Sequence, residues 1–239
     1  MQRRLTSLFL VCLLATFSAA LGGCVTGSAG LSRTPTHTGA GISANPHSID
    51  GQMVVDSDLS GLRLQNITLK NTAFLGSSGR NIELRNVIFE NCRFINTRLS
   101  GGIMENVTFR GGLFTCEDDQ DNLDKRSVFS GVTMKGVLFD GASMDNFIMD
   151  VKNSSIILRG MHSIRALEPM IRGTDINLVI EDCVFMRIPA ITDINGKSSL
   201  LVRDSTFATS TFGKSAFERV LFERCITYGG AVYTPPSAR

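Results

Sequence analysis

The chain has 239 residues, with 24 Lys+Arg against 22 Asp+Glu, fifteen Phe, two Tyr, six Cys and no Trp. That length suits one domain or two small ones, and a hydrophobic content of 43% is enough to bury a core. A formal charge of +2 is too small for the basic stripe of a nucleic-acid binder, so the reading is no nucleic acid partner.

The N-terminus comes first. Arg3 and Arg4 precede an apolar run from Leu8 to Ala20 and then Leu21-Gly22-Gly23-Cys24. The run is shorter than the roughly 20 residues a spanning helix needs, which makes residues 1–23 a cleaved signal peptide. The four residues ending at Cys24 resemble a bacterial lipobox. That resemblance implies a diacylglyceryl group on the Cys24 thiol, cleavage ahead of it, and palmitate or a similar acyl chain on the new amino terminus. The mature chain is then held to the membrane by its N-terminal lipid without spanning it. Val25 stands where an Asp tends to retain lipoproteins in the inner membrane, so the expected location is the bacterial cell envelope, outer membrane favoured over inner. Cleavage also removes Arg3 and Arg4, leaving 22 basic and 22 acidic residues.

Residues 24–50 hold the lipidated Cys and a tether of Ser, Thr, Gly and Pro with no aromatic side chain. Such a stretch buries too little apolar surface to offset its ordering entropy and reads as flexible, with a mean reach of about 28 Å. His37 and His47 fall in this tether as solvated residues.

From Ser57 onward a five-residue period takes over. The slots are Leu59, Leu64, Leu69, Phe74, Gly79, Leu84, Phe89, Phe94, Leu99, Met104, Phe109, Phe114, Asp119, Asp124, Phe129, Met134, Phe139, Met144 and Met149. Sixteen of the nineteen are Leu, Phe or Met, where composition alone gives about four. Two positions earlier stand small or β-branched residues: Ser57, Ile67, Thr72, Ile82, Val87, Cys92, Thr97, Val107, Val132, Val137 and Ala142. Residues two apart share one side of an extended chain, so large and small members face inward together. Two positions after each anchor comes Gly or Asn, the residues that accept the left-handed backbone of a tight corner: Gly61, Asn66, Asn71, Gly76, Asn81, Asn86, Asn91, Asn96, Gly101, Asn106, Gly111, Gly131, Gly136, Gly141 and Asn146. A helix is excluded, because a period of five advances about 500° and leaves no apolar stripe. A flat antiparallel sheet is excluded by the corner at every fifth residue. A solenoid with square coils remains.

The runs Val87-Ile88-Phe89-Glu90-Asn91, Cys92-Arg93-Phe94-Ile95-Asn96 and Val107-Thr108-Phe109-Arg110-Gly111 resemble the pentapeptide-repeat family. The resemblance covers residues 57–149 and, in a shifted frame, 200–227 through Val202, Phe207, Phe212, Phe217 and Phe222, with Ser205, Ser210, Ser215 and Val220 as small partners. It implies an all-β fold, a right-handed quadrilateral parallel β-helix of about twenty residues per coil occupying residues 51–233, with a tail at 234–239. Where the family often has Asp or Asn just before the anchor, this chain has Arg93, Arg98, Thr108 or Thr133. Coils stack about 4.8 Å apart, which predicts ladders such as Phe74–Phe94–Phe114 and Leu69–Phe89–Phe109. Open ends need covering, and Gln52–Val55 and Tyr228–Tyr233 are the candidate caps.

Irregular excursions are expected near 115–128 and 150–199, where the period fails. The first contains Glu117, Asp118, Asp119, Asp121 and Asp124, clustered oxygen ligands of the kind calcium favours but without the Gly and terminal Glu of an EF-hand, so no metal site is assigned. In the second, Met161–Arg172 reads as a loop or short helical excursion, with His162 and Glu168 as surface residues rather than a catalytic pair. Cys92, Cys183 and Cys225 take small inward slots and read as packed thiols; Cys116 falls in a corner slot with no assigned role.

No phosphate loop, metalloprotease helix or nucleophile elbow is present, so no cofactor and no catalytic residue is assigned. The favoured reading is a non-enzymatic, lipid-anchored envelope scaffold docking a protein partner, with a homodimer by end-to-end coil stacking as its form of self-association. The alternative is a pectate-lyase-like β-helix that binds or cleaves polysaccharide with calcium. The family resemblance also raises mimicry of duplex DNA toward topoisomerases, which requires a cytoplasmic setting and an acidic surface, both missing here.

Overall fold

The computed structural model describes residues 47–115, 128–162, 164–165, 171–185, 191–207, 215 and 217–231. They form twenty-one short strands and, among the described residues, no helix. In chain order the first ten are β1 (His47–Asp50), β2 (Met53–Val55), β3 (Arg63–Lys70), β4 (Ala73–Leu75), β5 (Ser78–Glu90), β6 (Arg93–Ile95), β7 (Arg98–Glu105), β8 (Thr108–Arg110), β9 (Leu113–Thr115) and β10 (Val128–Lys135). The rest are β11 (Val137–Asp140), β12 (Ser143–Asp145), β13 (Ile148–Arg159), β14 (Ile164–Arg165), β15 (Ile171–Glu181), β16 (Val184–Phe185), β17 (Ile191–Asn195), β18 (Ser199–Arg203), β19 (Thr206–Phe207), β20 (Arg219–Glu223) and β21 (Ile226–Thr227).

Every strand pairing among the described residues is parallel and joins one coil to the next. One side of the solenoid is a nine-stranded sheet in the order β2-β4-β6-β9-β12-β14-β16-β19-β21. A twelve-stranded sheet wraps the remaining sides, along β1-β3-β5-β7-β10-β13-β15-β18-β20 with β8, β11 and β17 joined to it. The chain turns corners inside these long strands: β5 runs thirteen residues and bends at Asn81 and Asn86.

Four inward columns fill the core. On the first side Ile49, Leu69, Phe89, Phe109, Phe139, Leu158, Ile180, Val202 and Phe222 stand in register, one per coil. The second side carries Val54, Phe74, Phe94, Phe114 and Met144, continuing through the backbone of Ile164 to Phe185 and Phe207. The third holds Leu59, Gly79, Leu99, Phe129, Met149, Ile171 and Ile191. On the fourth, Leu64, Leu84, Met104 and Met134 align. Rings in one column stack nearly flat, Phe74 on Phe94 at 4.9 Å and Phe94 on Phe114 at 4.8 Å, while rings of adjoining columns meet edge to face, as Phe89 meets Phe94 at 5.5 Å. Both arrangements suit the aromatic quadrupole and add to the burial of each ring.

All fifteen predicted Gly and Asn corners have positive φ, from 47° at Asn71 to 71° at Gly61. The corner amide is not wasted, because it donates to a carbonyl one coil on: Asn71 to Glu90 at 2.9 Å, Asn91 to Arg110 at 2.9 Å, Asp182 to Arg203 at 3.2 Å. Hydroxyls in the small slots close other gaps. Ser205 Oγ accepts the Cys183 amide at 3.1 Å and donates to the Arg203 carbonyl at 2.8 Å; Ser198 and Ser154 serve Ile176 and Met134 likewise.

The structure corrects several expectations. The described residues of 150–199 continue the solenoid rather than leaving it: β13, β15, β17 and part of β18 belong to its coils, and Val151, Ile156, Leu158, Ile171, Ile176, Leu178 and Ile180 are buried in it. The five-residue period fades there because coil length changes, with Phe139 above Leu158 and then Leu158 above Ile180, and because Ile and Val replace the Leu, Phe and Met of the search pattern. Met161, expected in a loop, is fully buried, and the described part of 161–172 contains strand rather than helix. The solenoid begins inside the expected tether, since Ser48–Asp50 pair with Thr68–Lys70 and Ile49 packs on the core. Gln52–Val55 is no separate cap, as Met53–Val55 is a full rung of the nine-stranded sheet. Val220 is 44% exposed instead of inward-packed, because β20 pairs only with β18 and no further coil covers it among the described residues.

Candidate interaction surface

A solenoid presents its outward residues in straight columns, and the first side carries two that stand out. Just after each inward anchor come Asp50, Lys70, Glu90, Arg110, Asp140, Arg159, Glu181, Arg203 and Glu223, in register along nine coils. The sign alternates at every step. Opposite charges on facing residues attract and like charges repel, so this ladder supports one stacking register. Glu90 Oε2 lies 3.2 Å from Lys70 Nζ, and Glu181 takes Arg159 and Arg203 at 2.9 Å each.

Just before the anchors the column is apolar on five successive coils, through Leu138, Ile157, Val179, Leu201 and Leu221, with Thr108 between this run and Ile88. Leu221 is exposed and the others are partly so. At the strand spacing this stripe is about 19 Å long, bordered on one side by charges that neutralise one another. The fourth side is closed by ion pairs instead, Arg63–Glu83 at 3.2 Å, Glu83–Arg85 at 2.9 Å and Arg85–Glu105 at 2.7 Å. At a corner, Arg224 forks onto Asp204 at 2.6 and 2.7 Å, a pair of hydrogen bonds that holds the Asp204 carboxyl below the usual carboxylate range.

The anchors named from sequence, Phe212 and Phe217 apart, stand in the columns above. Leu69, Phe74, Leu84, Phe89, Phe94, Leu99, Met104, Phe109, Phe114, Phe129, Met134, Phe139, Met144 and Phe207 are buried; Leu64, Phe217 and Phe222, near the ends, are partly so. Phe212, Cys24, where lipidation is expected, Cys116, the acidic run 117–124 and Glu168 lie outside the described residues. His162 Nε2 stands 3.9 Å from Asp182 Oδ2 with both side chains exposed, away from the core. Among the described residues no group of three His, Cys, Asp or Glu is placed to hold a metal ion. Phe147 occupies a small slot yet is fully buried between Phe114 and Phe129, at 4.9 and 4.8 Å, a core residue that the size pattern misses.

Cys92, Cys183 and Cys225 are free thiols in one corner column, each buried. Their sulfurs donate to backbone carbonyls, Cys92 to Leu69 at 3.3 Å and Cys183 to Glu181 at 3.2 Å. Burial pushes the Cys92 and Cys183 thiols up to about 11 and raises Cys225 as well. Neutral and enclosed, they are packing groups rather than nucleophiles.

Residues 80–111 match the family model for pentapeptide repeats (8 copies). The coils of residues 80–111 are built from pentapeptide repeats. Among curated proteins, none matches this chain in sequence. Among solved structures, a trypsin-treated form of QnrB1, a plasmid-mediated fluoroquinolone resistance protein, is 13% identical over 73% of this chain and 84% of its own, with a TM-score of 0.32. HetL, a pentapeptide-repeat protein involved in heterocyst differentiation regulation from the cyanobacterium Nostoc sp. strain PCC 7120, is 10% identical over 79% of this chain and 92% of its own, with a TM-score of 0.21. The pectate-lyase-like alternative is not supported, since the coils are those of pentapeptide repeats, about twenty residues long, and not the longer coils that alternative requires.

Proposed function

We propose that the chain is a non-enzymatic scaffold of the bacterial envelope, held to the membrane by lipid on Cys24 and presenting its pentapeptide-repeat solenoid to a protein partner. The observation that carries this reading is the first side's outer surface. An aliphatic stripe on five coils beside a self-neutralised charge ladder is a flat, rigid patch with apolar area to bury and little charge to desolvate. The alternation of sign on this side also leaves no continuous acidic track of the kind DNA mimicry needs.

The lipid sequence motif supports outer-membrane anchoring over inner, and residues 24–46 supply the tether. A homodimer formed by end-to-end stacking is the self-association that fits, and the ladder restricts its geometry. It begins with Asp50 and ends with Glu223, so head-to-tail stacking sets carboxylate against carboxylate, whereas two β20 strands running antiparallel set Arg219 against Glu223.

Crosslinking of the lipidated protein in envelope membranes, followed by mass spectrometry, tests the scaffold reading. A specific partner lost in Val179→Lys supports it, and a set of crosslinks unchanged by that substitution sinks it. Labelled palmitate that is still incorporated after Cys24→Ala removes the anchoring reading separately.

A further inference from the structure

Asparagine serves this solenoid mainly at its corners, where its side-chain amide is tied to the coil before. Asn71 Nδ2 donates to Asp50 Oδ1 at 2.9 Å, Asn86 Nδ2 to Asn66 Oδ1 at 2.9 Å and Asn106 Nδ2 to Asn86 Oδ1 at 3.2 Å. Each of these is followed by a branched residue, Thr72, Val87 or Val107. The sequence has one Asn-Gly step, Asn195-Gly196, and it is built differently. Asn195 closes β17, the positive φ of 72° belongs to Gly196, and both residues are exposed.

At an Asn-Gly step the following backbone nitrogen reaches the side-chain carbonyl without hindrance, because glycine has no Cβ. The turn after β17 adds to this. Asn195 Nδ2 donates to the Asp193 carbonyl at 3.3 Å, so its amide is held on its own strand and not on a neighbouring coil. Ser198 Oγ donates to the Asn195 carbonyl oxygen at 2.6 Å. That oxygen and the Gly196 nitrogen belong to one conjugated peptide group, so it takes up charge when the nitrogen loses its proton. A donor aimed at it stabilises the anion as an oxyanion hole does. Ser198 is buried and fixed from its other side, where Oγ accepts the Ile176 amide at 3.0 Å. Asp175 Oδ1 lies 2.5 Å from where a Cβ at Gly196 would stand and accepts the Lys197 amide at 2.9 Å, so the turn keeps glycine at this position.

We propose that Asn195 is a deamidation site. The Gly196 nitrogen, its proton passed to solvent, bonds to Asn195 Cγ; the Cγ–Nδ2 bond breaks, and Nδ2 takes up a proton and leaves as ammonia. The product is a five-membered succinimide. Water opens the ring at either carbonyl, giving aspartate, or isoaspartate where the chain then runs through the former side-chain carbonyl. The isoaspartate form lengthens the backbone ahead of Ser198, and both forms add a carboxylate to a turn that already holds Asp175 and Asp193. The turn leads into β18, which carries Leu201 and Arg203, so conversion reaches the surface on which the proposed function rests, although the chemistry does not depend on that reading.

Ageing of the full chain at neutral pH and 37 °C, followed by trypsin and mass spectrometry, tests the proposal. The peptide Ile188–Lys197 has Asn195 as its one asparagine and is expected to gain the mass of an amide turned to acid, in two chromatographic forms. The peptides holding Asn71, Asn86 and Asn106 should stay unchanged. Ser198→Ala should slow the conversion about tenfold, the loss of one strong hydrogen bond to the forming anion, and Asn195→Gln should stop it. A synthetic peptide of residues 188–197 lacks Ser198 and keeps the test open if Ser198→Ala does not fold; the native chain should convert faster than this peptide. An Asn195 that stays intact while the synthetic peptide converts overturns the site. A native rate below that of the peptide, or one unchanged in a folded Ser198→Ala, overturns the part assigned to the turn.

Discussion

Glu181 Oε1 takes the Arg203 guanidinium of the next coil at 2.9 Å, while its other oxygen takes Arg159 of the coil before at the same distance. With a side chain only 20% exposed, Glu181 is more enclosed than Glu90, the carboxylate that pairs with Lys70 higher in the ladder, and it satisfies two cations at once. Glu181→Gln keeps the shape and loses the charge, and should lower stability by about 1 kcal/mol. Glu181→Lys sets three cations in a row and should cost about 2 kcal/mol or more. Urea unfolding of both variants checks the order, and equal stability of the two would show that the ladder contributes nothing.

Alternation of sign gives the stack a parity. Removing residues 71–90 deletes one coil and brings Lys70 over Arg110, whereas removing residues 71–110 deletes two and brings Lys70 over Asp140. The inward column survives in both, with Leu69 over Phe109 or Phe139. Lys70→Gln should therefore stabilise the one-coil deletion and destabilise the two-coil deletion, each by about 0.5 kcal/mol. The same sign in both backgrounds, read from denaturation midpoints at low salt, would falsify a role for charge in register.

The core and its corners answer to different substitutions. Phe94 touches Phe74, Phe89, Phe109 and Phe114, all with centroids within 5.7 Å, so Phe94→Ala should cost about 3–5 kcal/mol. Phe222, near the last coil and only partly buried, should cost less when truncated in the same way. Gly112 sits in the column of small slots with φ at 86°, and a Cβ there would lie 2.2 Å from the Cys92 carbonyl oxygen. Gly112→Ala should destabilise by several kcal/mol, more than an ordinary Gly→Ala exchange by about fivefold. Thermal melts of the three variants rank these effects.

Much of this was legible because square coils write their corners every fifth residue. Asn91 and Gly111 declare themselves through the residue types that accept positive φ, and Phe89 and Phe109 through size. Asp182, Asp204 and Arg224 occupy the same corner lower in the stack, with φ of 50°, 51° and 50°, but a search for Gly and Asn passes over them. Tertiary hydrogen bonding fixes these corners where propensity alone is weak, as the Asp182 amide bonded to the Arg203 carbonyl illustrates. The outer surface was harder to read. Arg159, Glu181 and Arg203 become neighbours only when coils of unequal length are set in register, a pairing that no local pattern states.

The buried thiols supply a pH dependence with a definite sign. In the folded chain Cys92 and Cys183 titrate near 11, while an exposed cysteine in the unfolded chain titrates at roughly 8.5. Because the folded state keeps its protons longer, these groups contribute full stability below the unfolded value and lose it as pH rises through the folded one. The denaturation midpoint should fall between about pH 9 and pH 11, and the slope should shrink in Cys92→Ser and shrink further with Cys183→Ser added. The same burial shields the sulfurs from alkylation. Iodoacetamide at pH 8 should leave Cys92 and Cys183 unmodified in the native protein and label both after denaturation, as read by peptide mass spectrometry. Rapid native labelling of either would mean that the corner column opens far more readily than its packing against Thr72, Leu69 and Met161 allows.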